Sequence, residues 1–179
     1  VSQYEEGHHL VRDIECLRFK NAQVDALHVL EAPGGALGKF LLTASEGEYY
    51  AQYIKNEEFK ARTVLNALAD EMRARSIPCT THLLEGQASE EMVRHAEKTK
   101  ADLIMLHMTQ KTYSDGFLTS RVPRKLLLTS PVSLLFHKEE SRHFPRTRVV
   151  WATDHSAYSM QCLKKFLDFA PEGLEELTV

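Results

Sequence analysis

The sequence predicts an α/β protein built on a doubly wound, mostly parallel sheet of the Rossmann-like type. Short, nearly continuous apolar segments alternate along the chain with longer segments of helical period, as expected for strands covered on both faces by helices. The chain of 179 residues is long enough for one such domain and part of a second. Near residue 148 the order of strand, helix and strand begins again, which indicates an internal repeat.

The first unit comprises residues 1–138. Its opening helix is predicted over residues 5–22, where apolar residues such as Val11 and Ile14 recur at helical spacing. Ser89 is the expected N-cap of the third helix, since a serine oxygen can accept a hydrogen bond from a free backbone N–H group. The pattern predicts helices at 5–22, 47–75, 88–100 and 120–129, strands at 24–30, 79–84, 102–106 and 131–137, and loops at 31–38 and 107–116.

A second unit begins after a charged, proline-containing segment. Residues 139–146 form the predicted linker, and residues 147–179 hold a predicted strand at 148–154, a helix at 158–169 and a strand at 174–179. Ser2-Gln3-Tyr4 opens the first helix as Ser156-Ala157-Tyr158 opens the last one. Aligning the two units in this way implies that the first unit lacks its first strand.

That missing strand would lie at the centre of the sheet. An empty central position leaves backbone groups of both neighbouring strands unpaired, which costs free energy. We therefore expect the position to be filled, either by residues that precede Val1 or by residues 148–153 of the same chain or of a partner.

The composition excludes several classes of protein. The 22 lysines and arginines against 25 aspartates and glutamates give no basic excess, so nucleic acid is not an expected partner. No apolar run of about 18 residues is present, so no membrane span is expected. Cys16, Cys79 and Cys162 are odd in number and scattered, which favours a reducing, cytosolic compartment over a disulfide framework.

Several segments resemble the universal stress protein family, in particular its tandem, two-domain members. Residues 149–159, which contain Thr153-Asp154-His155-Ser156, resemble the first strand and the Asp-x-Ser loop of that family. The segments 27–31, 85–86, 101–105 and 131–136 resemble its second, third, fourth and last strands. The resemblance implies a cytoplasmic stress-response protein that acts by binding, as a homodimer or as an intramolecular pseudo-dimer through the edge strand 131–136.

Family members that bind ATP carry Gly-x2-Gly-x9-Gly-Ser/Thr between the fourth strand and the last helix. The glycines let backbone amides approach the phosphates at a helix N-terminus. In this sequence the corresponding residues are His107, Gln110, Ser120 and Arg121. None of the three glycines is present and Arg121 replaces the hydroxyl, although a shift of one residue would place Ser120 there. The resemblance therefore implies a degenerate nucleotide site, with no cofactor or with ATP as the cofactor.

The second unit retains part of the same pattern. Asp154 and Ser156 match residues of the family that contact nucleotide, and an Asp that caps the following helix is an equally supported interpretation. Two alternatives stay open for the whole chain. One is an ATP-binding protein with slow hydrolysis that uses the second unit, and the other is a regulatory domain of a membrane transporter.

Other short motifs give little support to a functional assignment. Residues 34–39 are rich in glycine, but Pro33 and Phe40 replace the glycine and the hydroxyl of a P-loop. Cys79 and His82 alternate to opposite faces of a strand, so they are not expected to share a metal. A basic cluster of Lys111, Arg121, Arg124 and Lys125 is interpreted as a solvated face rather than an anion site. No catalytic motif is present, so the sequence names no residues for an enzyme.

Overall fold

The computed structural model describes residues 3–31, 44–108, 121–138 and 147–179. In these segments helices and strands alternate along the chain, as the sequence predicts. The helices are α1 (Gln3–Leu17), α2 (Ala44–Ala74), α3 (Ala88–Thr99), α4 (Arg121–Thr129) and α5 (Ala157–Asp168). The strands are β1 (Val24–Leu30), β2 (Cys79–Glu85), β3 (Leu103–Met108), β4 (Ser133–Lys138), β5 (Thr147–Val150) and β6 (Leu174–Thr178).

All the strand pairs of the described segments are parallel. They are β1 with β2, β3 with β4, and β5 with β6. Parallel strands joined through helices confirm the predicted α/β, doubly wound class. Within the described chain, residues 148–153 do not fill the central position, because β5 pairs with β6. Filling of that position by residues that precede Val1 or by a partner stays a prediction. Only α5 separates β5 from β6 in the chain, so this local pairing closes a short loop and costs less entropy than a distant one.

One hydrophobic core joins the first two strand pairs. Its buried residues are Val11 and Ile14 of α1 and Met72 of α2, which are 0%, 7% and 1% exposed. Val24, Cys79 and Met105 pack against them from β1, β2 and β3. The pairs β1–β2 and β3–β4 therefore share a core beneath α1 and α2. Helix α3 contacts β1, β3 and α4.

Several boundaries differ from the predictions; for example, β5 ends at Val150 rather than at residue 154, and β4 begins at Ser133 rather than at residue 131. Helix α1 ends at Leu17 rather than at residue 22, because Arg18 and Asn21 adopt positive φ angles of 47° and 56°, which a right-handed helix cannot continue. The N-cap of α3 is Gln87 and makes no side-chain cap hydrogen bond. Ser89 lies inside the helix and is buried, so its predicted capping role is wrong. His107 belongs to β3 rather than to a loop.

The second unit contacts the end of α1. The backbone N–H of Gly173 donates to the carbonyl of Leu17 at 2.9 Å, and that of Lys20 donates to Ala170 at 3.3 Å. Phe19 and Phe169 meet edge to face at 6.2 Å. Residues 139–146 lie outside the described residues, so the division into units at 1–138 and 147–179 stays a prediction.

Candidate functional site

The carboxyl ends of β3 and β4 bring two histidines together. His107 of β3 lies directly opposite His137 of β4 in the parallel register, and their rings stack with centroids 5.5 Å apart. Both strands point their carboxyl ends the same way, and ligands of open α/β sheets bind at that edge. His107 is also the residue that the family resemblance aligns with the first glycine of the ATP motif, so the resemblance and the fold indicate the same edge.

Helix α1 completes this group from above the sheet. The His9 ring stacks on His107 with centroids 4.9 Å apart and on His137 at 5.5 Å. Asp13, one helical turn after His9, approaches His137 Nδ1 with an oxygen at 2.7 Å. We call His9, Asp13, His107 and His137 the histidine cluster. Its three imidazoles and one carboxylate come from three different elements.

The histidine cluster lies partly out of water. Burial raises the pKa of the Asp13 carboxyl, and the neighbouring His137 and His9 oppose that rise by lowering it. The side chains of Asp13 and His137 are 21% and 22% exposed. The three imidazoles and the carboxylate together offer hydrogen-bond donors and acceptors to a ligand.

Of the other three residues aligned with the motif, the described segments include Arg121. Gln110 and Ser120 lie outside the described residues. Arg121 is the first residue of α4 and is exposed. In the basic cluster, Lys125 Nζ lies 2.7 Å from Glu90 Oε1 and 2.9 Å from Gln87 Oε1. Lys125 is therefore bound to α3, and this contact supports a structural role for that lysine.

Asp154 and Ser156 organise the start of α5. Asp154 Oδ1 accepts a hydrogen bond from the Ser156 N–H at 2.9 Å, and Ser156 Oγ accepts one from the Ser159 N–H at 3.1 Å. The N-cap is thus Ser156, and the interpretation of Asp154 as the cap is wrong. The hydrogen bonds from Ser156 lower the pKa of the Asp154 carboxyl, which is exposed. One carboxylate oxygen stabilises the turn before the helix.

Sequence reasoning missed three members of the histidine cluster. His9 and Asp13 are four residues apart on a predicted helix, which places them on one face, and this spacing was the available signal. His137 closes the last strand of the first unit, at the edge where ligands are expected. Neither signal is specific by itself, because these residues come together only through the packing of α1 on β3 and β4.

The fold and the site define an α/β protein of the doubly wound class, with polar side chains at the carboxyl ends of parallel strands. The model of the universal stress protein family matches residues 8–138. The chain therefore belongs to the universal stress protein family. This finding confirms the family and the fold class that the sequence predicts.

Two known proteins show how close the likeness is. The chain is 27% identical over 124 residues to universal stress protein MJ0531 of Methanocaldococcus jannaschii, which covers 68% of this chain and 68% of that protein. The fold is similar to the solved structure of the hypothetical protein MJ0577, with a TM-score of 0.60 and 17% identity over 79% of this chain and 94% of that chain. The second likeness concerns the fold alone. No helix in the described segments has the length and apolar character needed to cross a membrane.

Proposed function

We propose that this chain is a cytoplasmic stress-response protein that acts by binding rather than by turnover, and that its first unit does not bind ATP in the manner of the family's ATP-binding members. The observation that carries this proposal is the mutual packing of the His107 ring with His9 and His137, at 4.9 Å and 5.5 Å, while His9 and His137 lie 5.5 Å from each other. A glycine at position 107 would leave that space to a phosphate. An imidazole at the same position fills it.

The contacts of the stack support this argument. A phosphate cradle needs backbone N–H groups that a ligand can approach closely, and glycine allows this because it has no Cβ. The His107 side chain projects from the end of β3 and packs against α1. To admit a triphosphate, the protein would have to break the contacts of His107 with the rings of His9 and His137. We therefore expect only weak binding of ATP to the first unit.

Titration calorimetry of the full chain with Mg-ATP tests the proposal. We expect no binding with a micromolar dissociation constant for the wild-type protein. If micromolar binding is observed, the variants His107→Gln and His28→Gln decide where it occurs, since His28 lies on β1 away from the histidine cluster. Binding that is weakened by His107→Gln and not by His28→Gln would refute the proposal.

A second candidate function uses the second unit. Asp154 is exposed and its carboxyl pKa is lowered, so a charged carboxylate stands at the start of α5. Its free oxygen can accept a hydrogen bond from the amino group of a nucleobase. Micromolar binding of Mg-ATP that is lost in Asp154→Ala and kept in Asp168→Ala, an exposed carboxylate at the other end of α5, would favour an ATP-binding protein that uses this unit.

The association state belongs to the same proposal. The strand β4 pairs with β3, and among the described residues its other edge has no strand partner. We propose that this edge pairs with its counterpart in a homodimer, or with the second unit in a tandem pseudo-dimer. A parallel strand with an unpaired edge is a template for such pairing.

A further inference from the structure

A second polar cluster lies on the face of the β1–β2 pair that α3 covers. Asp25 of β1 places Oδ2 at 2.9 Å from His95 Nε2 of α3, and Oδ1 at 3.5 Å from His82 Nε2 of β2. The two imidazole rings have centroids 4.5 Å apart and are tilted by 57°. One carboxylate thus directs one oxygen to each of two histidines, and the three side chains come from three elements.

The strand register explains why these residues meet. Asp25 lies opposite Thr80, and Leu27 lies opposite His82, so Asp25 and His82 are diagonal neighbours on one face of the pair. Cys79 lies on the other face and packs in the core beneath α1 and α2. The predicted separation of Cys79 from His82 is therefore confirmed. The same alternation that separates Cys79 from His82 brings His82 to Asp25 and His95.

We propose that Asp25, His82 and His95 form a binding site for a divalent transition-metal ion of the zinc type. One ligand atom from each side chain can be chosen so that all three lie within 4.8 Å of one another. In a tetrahedral zinc site with bonds of about 2.0–2.1 Å, neighbouring ligand atoms lie about 3.4 Å apart. The observed separations are 2.9 Å from His95 Nε2 to Asp25 Oδ2 and 3.5 Å from His82 Nε2 to Asp25 Oδ1. Because they involve different carboxylate oxygens, the Asp25 carboxylate must rotate to present one oxygen to an ion held by both imidazoles.

A second observation points to a ligand. His82 Nε2 is buried and has no hydrogen-bond partner among the described residues. Its distance of 3.5 Å from Asp25 Oδ1 is too long for a good hydrogen bond, although the nitrogen lies beside a carboxylate. Buried polar atoms are normally paired. A cation bound between His82 and Asp25 would give His82 Nε2 the partner that it lacks.

The exposure of the three ligands fits a site with an open position. The side chain of His95 is 11% exposed and that of His82 is 31% exposed, while Asp25 is 37% exposed. The helix side is therefore closed, and solvent reaches the metal along the carboxylate. Two imidazoles and one carboxylate with a water in the fourth position form a common zinc arrangement. Imidazole donors favour zinc, copper, nickel or iron over magnesium and calcium.

Metal binding here would join β1, β2 and α3. To bind the ion through Nε2, the His95 imidazole must carry its proton on Nδ1, so a metal bond replaces the contact between Nε2 and Asp25 Oδ2. Because the three ligands come together only in the folded chain, binding stabilises the fold. This site lies on the face of β1 that α3 covers, away from the histidine cluster at the ends of β3 and β4, and it does not depend on the proposed function.

Titration of the full chain, first treated with a chelator, with Zn²⁺ tests the site. Thermal melting is measured with and without the ion. We expect the wild-type protein to bind Zn²⁺ and to melt at a higher temperature in its presence. The variants Asp25→Asn, His82→Gln and His95→Gln should each bind at least about 100-fold more weakly, because loss even of an outer-shell partner costs 10- to 100-fold. The matched control His28→Gln removes a histidine from the opposite face of β1 and should bind as the wild type does.

Two results would overturn the proposal. One is unchanged Zn²⁺ affinity in both His82→Gln and His95→Gln. The other is loss of binding in His137→Gln alone, which would place the ion in the histidine cluster. Circular dichroism without metal establishes that each variant is folded. If a variant does not fold, anomalous diffraction from zinc-soaked wild-type crystals decides the matter, since the proposal requires a peak within about 2.0–2.2 Å of His82 Nε2 and His95 Nε2.

Discussion

The contact between the second unit and α1 can be tested at Gly173. A Cβ added to this glycine would lie 2.8 Å from the carbonyl carbon of Cys16 and closer still to its oxygen, where real Cβ atoms essentially never approach below 3.0 Å. The obstacle is backbone at the end of α1, so it cannot move aside like the end of a flexible side chain. In Gly173→Ala the turn before β6 must therefore withdraw from α1.

The loss of stability can be estimated from the contacts that withdrawal breaks. The N–H of Gly173 donates to Leu17 at 2.9 Å and the N–H of Glu172 donates to Arg18 at 3.2 Å, and each such bond contributes about 1 kcal/mol. Overpacking adds about 1–3 kcal/mol. We expect Gly173→Ala to lower the free energy of unfolding by about 3–5 kcal/mol, which corresponds to about 6–20 °C in Tm for a chain of this size.

Urea denaturation followed by two probes measures this effect. The chain contains 1 tryptophan, Trp151, which lies in the second unit and stacks near Phe166 with ring centroids 6.1 Å apart. Its fluorescence reports the second unit, and far-UV circular dichroism reports the whole chain. The matched control is Gly47→Ala in α2, where an added Cβ meets nothing within 4 Å and should stabilise the helix by up to about 1 kcal/mol. Equal midpoints for Gly173→Ala and the wild type, by both probes, would refute the docking of this turn on α1.

Three further predictions concern an ion pair, a titration and an edge. Arg75 joins α2 to α1 through an ion pair with Glu15 at 2.6 Å, so Arg75→Met should lower the unfolding free energy by about 1–2 kcal/mol in urea melts. The control Arg73→Met loses an exposed ion pair within α2 and should change the unfolding free energy by under about 0.5 kcal/mol. Burial lowers the pKa of His28, against an opposing effect of Glu57. The stability that the neutral imidazole contributes is therefore present above pH 6.5 and is lost as the pH falls through the folded pKa. Between about pH 7 and pH 5, His28→Gln should lose less stability than the wild type, and parallel plots of unfolding free energy against pH would contradict this. Leu134→Lys on β4 should weaken association by about 1–3 kcal/mol in sedimentation experiments. The control Leu128→Lys, at an exposed residue of α4, should leave association unchanged. Equal sedimentation of the two variants would exclude the β4 edge as the interface.

The elements of this fold were predictable where one local pattern decides them. Strand β1 has the predicted bounds of Val24 to Leu30, because a nearly continuous apolar run ends at polar residues on both sides. The end of α1 was not predictable in this way. Arg18 and Asn21 take left-handed backbone conformations where the chain turns to enter β1, and no glycine in the sequence marks that turn. Ser89 shows the same limit, since serine is a good cap and is also small enough to be buried inside α3.

The candidate sites were less predictable because they depend on register. The sequence separates Asp25 from His82 by a long helix, and the two meet only because β1 and β2 pair as Leu27 opposite His82. His107 and His137 likewise become neighbours through the pairing of β3 with β4. The register of parallel strands is set by how the connecting helices pack, so no local period reports it. The position of His107 at the sheet edge was predictable, since it follows from the strand alone.

The two clusters also bear on how far the family's known motif can be used for this chain. A phosphate loop binds its ligand through backbone N–H groups, which glycine leaves accessible because it has no side chain. At His107 this chain instead supplies a side chain, and that side chain is held by partners on α1 and β4 rather than extended into solvent. Replacing His107 alone would leave His9, His137 and Asp13 in the same space. Under the proposed function, admitting a nucleotide would therefore require changes in α1 and β4 as well as in the loop, which makes the histidine cluster the place to begin the search for what the first unit binds.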